Sequence, residues 1–286
     1  LLASSVSGVG ARQAGGNSVP IDNDDIGGVV TSDKGPEAGV WVIAETKELP
    51  TGFSRIVVTD DRGRYVVPDL PKANYQLFVR GYGLVDSPKV TAAPGKQLNL
   101  KAVVAPNPRA AAEYYPANYW LSLLKVPEKS EFPIQEQGAT AGRSQGEFLK
   151  QLKTDGCMSC HQLGNRATRE IPAAPGKFDS GVSAWARRIA SGHDGSQMDQ
   201  QIGQLGRQRA LKMFSDWTDR IAAGDYPKEA PPRPEGAERN VVITLWDWNG
   251  PKAYLHDEIA TDKRNPTVNA NGLLYGAPEL STDNVP

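Results

Sequence analysis

The chain of 286 residues contains two cysteines, and they stand three positions apart in Cys157-Met158-Ser159-Cys160, with His161 immediately after. No disulfide can therefore tie distant segments together, so any core the chain builds rests on burial of apolar side chains. Two thiols separated by two residues and followed at once by a histidine form the pattern through which c-type haem is covalently attached. The spacing has a chemical reason. One short turn brings each thiolate to one vinyl group of the porphyrin, and the adjacent imidazole is delivered to the iron as proximal ligand. The pentapeptide predicts one covalent haem c held by Cys157, Cys160 and His161. A redox dithiol shares the Cys-x-x-Cys, but it follows a strand in a βαβ unit, whereas the residues before Cys157 read as a helix. A zinc ribbon needs a second ligand pair, and the sequence has no second Cys-x-x-Cys and no His-x-x-x-His.

Composition sets the frame. With 39% hydrophobic and 23% charged residues the chain has material for real cores, and its length suggests two domains or three small ones. A net charge of −1 argues against a nucleic-acid binder. Residues 143–224 carry twelve Lys/Arg against eight Asp/Glu, a mild excess that suits an acidic partner or a solvated surface. No run reaches the length of a transmembrane helix. Leu1 to Ala14 are small and apolar and look like the tail of a processed signal segment. Thioether attachment of haem takes place outside the bacterial cytoplasm or in organelles, so the expected location is the periplasm or another exported compartment.

Residues 1–25 have no hydrophobic period and read as a flexible arm. Its Asp22, Asp24 and Asp25 offer oxygen ligands for calcium without a recognisable loop pattern. From 26 to 104 short β-rich runs recur, among them Val40–Glu45, Arg55–Thr59 and Tyr75–Arg80, separated by turns such as Asp60–Gly63 and Pro94-Gly95. Strands at this spacing, with no helical period between them, predict a small antiparallel sandwich. Gly27-Gly28-Val29-Val30, Gly39-Val40-Trp41-Val42, Thr59 to Tyr65 and Leu70 to Tyr75 together resemble the carboxypeptidase regulatory-like domain. That resemblance implies a transthyretin-like β-sandwich acting as spacer or contact surface, with Trp41, Phe78 and Tyr82 in its core.

Residues 105–142 read as a connector, punctuated by Pro106, Pro108, Pro116, Pro127 and Pro133. Its aromatic cluster, Tyr114, Tyr115, Tyr119 and Trp120, is expected at a seam between domains or against a partner. Over 143–224, Phe148, Leu149 and Leu152 mark a short amphipathic helix running to Gly156 and the pentapeptide. A loop from Ile171 to Gly176, a helix Val182–Ala190, a loop Ser191–Gln197 and a helix from Gln204 to Ala223 follow. This order is similar to that of class I cytochrome c domains. The resemblance implies an all-α haem domain whose sixth iron ligand is Met198, set after a loop rich in Gly and Ser. Met213, His193 and His256 remain alternatives. It further implies that the carbonyl of Pro172 or Pro175 accepts from His161. Trp185 and Trp217 are candidates for the haem wall or for ordinary core.

Beyond 225 a Pro/Glu-rich linker leads to a strand over Val241–Trp248, a second candidate strand at Ala253–Ile259, and polar text after Thr261. This β-containing extension, 225–286, is too small to bury a core alone. It packs on another domain or begins a further one; with a β-propeller downstream, the whole would resemble a haem-bearing dehydrogenase for which this chain is the electron exit. The expected fold class is thus multidomain α+β: an N-terminal all-β immunoglobulin/transthyretin-like sandwich, an all-α cytochrome c domain, and a short β-containing C-terminal segment. The expected function is electron transfer with redox partner proteins, as a carrier or as part of a larger complex. An interaction protein anchored by the sandwich is the third reading. No Ser/His/Asp set, phosphate loop or carboxylate pair in the sequence suggests an enzyme, which leaves that status open.

Overall fold

The structure is a computed structural model that describes residues 19–160, 162–172, 176–191 and 194–247, with the short segments 253–254, 257–259, 275–277 and 280–281. Two compact units emerge, one from 1–106 with 232–246, the other from 107–231 with 247–286.

The first unit is built of short strands: β1 (Ile26–Ser32), β2 (Gly35–Pro36), β3 (Trp41–Thr46), β4 (Gly52–Val58), β5 (Arg64–Val67), β6 (Tyr75–Arg80), β7 (Leu84–Val85), β8 (Val90–Ala92), β9 (Lys96–Gln97), β10 (Leu100–Lys101), β11 (Val103–Val104) and, from the return segment, β12 (Ile243–Asp247). β1 is the hub of one sheet, antiparallel to β2 and β5 and parallel to β9 and β10. The second sheet runs β12-β4-β3-β6-β8. Its register sets Val42 opposite Val57 and Val79, and Ala44 opposite Leu77. Period-two alternation sends these side chains to one face, where they meet Ile26, Val30, Tyr65 and Val67 of the first sheet. The layers are therefore sandwich-like.

Not every aromatic follows the expected placement. Phe78 pairs in register with Ile43 on the opposite face, buried beneath the Arg80 guanidinium and the Lys89 ammonium, 5.6 and 5.0 Å from its ring centroid. Trp41 and Tyr82 are half-buried and meet edge to face at 4.9 Å.

The return segment is fastened to this unit by side chains. Arg233 donates to the Tyr82 and Ala38 carbonyls and pairs with Glu37, while Arg239 reaches Asp61 and the Pro234 carbonyl. Arg55 Nε donates to Thr244 Oγ1 at 3.2 Å, and Trp246 meets Phe53 edge to face at 4.7 Å. The strand expected at Val241–Trp248 thus has its partner in β4. Further along, Ala253–Tyr254 pairs with Leu280–Ser281 and Asp257–Ile259 with Tyr275–Ala277, so strands occur beyond Thr261 where the sequence reads as loop.

The second unit carries α1 (Pro108–Ala112), α2 (Ala117–Leu121), α3 (Gln145–Lys150), α4 (Cys157–Cys160), α5 (Arg166–Arg169), α6 (Gly181–Ile189), α7 (Gly195–Gln204) and α8 (Arg207–Ala222). Their starts are legible chemistry. Asn107, Ser144, Asn165 and Ser180 each accept a backbone N–H of the first turn, and Pro108 opens α1. Trp120, Trp217, Phe148, Phe214, Leu152 and Leu205 are fully buried. Trp217 Nε1 donates to the Trp120 carbonyl at 3.0 Å, and Trp120 Nε1 to the Ala112 carbonyl at 2.9 Å. Residues 107–142, read from sequence as part of a connector, lie within this unit, and Trp120 is fully buried.

The expected fold class is overturned. Among the described residues sheets fill the first unit, the helices are short, and no large all-α cytochrome domain is evident. Among the described residues only α8 exceeds ten residues. The reason is local. The helix expected to run to Gly156 changes after Lys150 into a π-helical turn, Gln151–Asp155, and the expected terminal helix is broken at Gly206, whose φ of 84° no helix accommodates.

Candidate cofactor-attachment site

Cys157 and Cys160 are the first and last residues of α4. They stand three positions apart on one helical turn. The turn is closed by Ser159, whose N–H and hydroxyl both donate to the Gly156 carbonyl, at 3.0 and 2.6 Å. Cys157 is half-buried. The side chain of Cys160 and the whole of His161 lie outside the described residues, as do His193, Pro175 and His256.

The π turn before α4 is spanned by an ion pair, Lys150 Nζ to Asp155 Oδ2, at 2.7 Å. It turns Gln151 inward, where the amide donates to Gln201 of α7. Gly156 has no room for a side chain: a Cβ there would stand 2.6 Å from the Gln151 carbonyl and 3.1 Å from Gln201 Oε1. The pentapeptide thus begins against α7.

Met198 belongs to α7, not to a loop. Its N–H donates to the Asp194 carbonyl at 2.9 Å, and the side chain is half-buried, one turn before Gln201. Residues at i and i+3 share a helix face, so Met198 and the residue touching Gly156 lie on one side of α7. Met213, at 3% exposure, sits in the α8 core. Trp185 stacks on Phe214 at 4.8 Å and donates to Thr218 Oγ1, and with Trp217 it forms interior packing.

Gln162, directly after His161, begins a tightly held turn. Gly164 N donates to Thr168 Oγ1 at 2.9 Å, and Thr168 N to Asn165 Oδ1 at 2.9 Å. Arg188 of α6 donates to the carbonyls of Ala167, Thr168 and Glu170; burial pulls its pKa below the ordinary arginine value. Arg169 binds from the other side, to the Gly164 carbonyl and to Glu113. Sequence reasoning missed Gln151, Gln201, Arg169, Arg188 and Glu113. Apart from Gly164, five positions before Arg169, their partners lie 18 to 56 positions away, beyond any local pattern.

Two thiols on one turn and a histidine after them are the donor set a c-type haem takes, and in that respect the residues fit the group. Cys157 and Cys160 would attach it, and His161 would face the iron. Elsewhere, ligand oxygens of Asp22, Asp24 and Asp25 approach within 4.8 Å of one another, but Asp22 and Asp25 are engaged by nearby backbone N–H groups. Compared with protein families and with curated proteins, the chain matches none.

Proposed function

We propose that the chain carries one haem c, attached through Cys157 and Cys160 and ligated by His161, and that it serves electron transfer as an exported carrier or a module of a larger redox assembly. The observation that carries this is that both cysteines belong to the single helical turn α4, with the histidine next in the chain. When bound, haem supplies a one-electron ferric/ferrous couple. The chain's own part is ligation and exclusion of water. His161 would hold the iron, and the face of α7 bearing Met198 stands beside the start of the pentapeptide, which favours its thioether as a second ligand. An imidazole and a thioether give a low-spin iron with a raised potential, suited to transfer rather than bond-making.

The test is extraction of the full chain matured in a host that attaches c-type haem. Colour stays with the protein in acid–acetone, and the pyridine haemochrome has the form of two thioethers. Colour passing into the organic phase, or a Cys157→Ala/Cys160→Ala variant that still holds haem covalently, overturns the reading.

A further inference from the structure

We propose that Arg169 is a positioning residue for His161: it fixes the turn that follows the histidine and so sets how the imidazole is presented. The inference rests on the haem reading above. Arg169 is 4% exposed. Its Nη2 lies 2.7 Å from Glu113 Oε2, its Nη1 donates to the Gly164 carbonyl at 3.2 Å, and its guanidinium stands 4.0 Å over the ring of Trp120. Trp120 is itself held by α1 and α8 through Ala112 and Trp217.

The turn it grips has little slack. A Cβ at Gly164 would stand 1.9 Å from the Ala117 carbonyl, so backbone lies against backbone, and the residue's φ of 99° belongs to glycine. Gly164 is the third residue after His161. With its carbonyl held by Arg169 and its N–H by Thr168, the chain between carries little freedom.

Stability does not explain the arginine. A pair whose carboxylate is partly exposed is worth little, and here Nε finds no hydrogen-bond partner, a further cost. What a guanidinium gives and a methionine does not is direction. Its planar fork addresses a carbonyl and a carboxylate at once while its face lies on an indole.

The test uses the full haem-bearing chain and three variants, Arg169→Met, Arg169→Lys and Glu113→Ala, read by ferric EPR, reduction potential and thermal melting. In all three the single low-spin EPR signal is expected to broaden or split and the potential to shift, while Arg169→Met melts no lower than wild type. Hydrogen exchange of the Gly164 and Thr168 amides, measured without haem, rises in the same variants. Should Arg169→Met not fold, Glu113→Ala decides the matter, because that carboxylate is largely solvent-facing and its loss opens no core. A single unshifted signal and an unshifted potential in the variants overturn the proposal, as does full rescue by lysine, which would mean that charge alone matters. A wild-type chain without covalent haem instead sinks the reading of the pentapeptide, and this inference with it.

Discussion

Arg233 Nη1 lies 2.6 Å from Oε2 of Glu37, a residue 196 positions earlier in the chain. The glutamate side chain is 8% exposed, so the pair is the inner fastening of the return segment. Arg233→Met strands a buried carboxylate and is expected to destabilise the sandwich by about 3 kcal/mol. The double variant Glu37→Met/Arg233→Met should regain most of that loss in chemical denaturation; equal losses in single and double variants would contradict the pairing.

Met198 and Met213 separate by spectroscopy. Met198→Ala should abolish the near-infrared band of iron–sulfur ligation, admit carbon monoxide and lower the potential, because soft sulfur favours the ferrous ion. Met213→Ala should keep the band and lose about 2–5 kcal/mol of stability through its buried site. The opposite pattern assigns the ligand to Met213, and a wild type lacking the band points to His193.

Alkaline pH should loosen the sandwich. Tyr75 donates its hydroxyl to the Pro71 carbonyl at 2.8 Å, and burial pushes its pKa up to about 12, opposed by the nearby Arg55 charge. Burial raises Tyr65 as well, its hydroxyl bound to the Leu98 carbonyl. Unfolded tyrosine ionises near pH 10. The folded state keeps its proton longer, so this contribution is whole below about pH 10 and is lost as pH climbs toward 12. The urea midpoint should fall across that window and fall less steeply in Tyr75→Phe; an identical slope would remove Tyr75 as a source.

Glu136 caps α8 from 72 residues away. Its two oxygens accept the Gln208 and Arg209 N–H groups at 2.8 and 2.9 Å, beside the positive end of the longest helix. Glu136→Ala should cost about 1–2 kcal/mol, seen as a lower melting temperature of the helical signal, whereas Glu136→Gln should cost less.

The strands of residues 26–104 were legible because alternation and turn chemistry are local: Val42, Ala44, Leu77 and Val79 announce their face by period alone. The attachment site was legible in its donors and hidden in its supports. Nothing near Arg169 in the chain names Glu113, and nothing near Gly156 names Gln201. The loop expected over Ser191–Gln197 gives way at Gly195 to a helix, Gly195–Gln204, which its two glycines and few apolar residues do not announce. The all-α expectation failed for a related reason. A resemblance whose one sharply diagnostic motif was five residues long was extended over eighty, and a π turn and a left-handed glycine lie inside that span.

The position of β12 sets an order of events during synthesis. Its partner β4 is complete by Val58, but Ile243 leaves the ribosome only after the whole of 105–242 has been made. At about 5–20 residues per second, that edge of the nascent sheet stands unpaired for on the order of ten seconds. A bare strand edge is a template for any extended chain nearby. The unfinished sandwich is therefore the interval in which this protein most needs a chaperone, and slowing translation over 107–231 should raise its yield of aggregate.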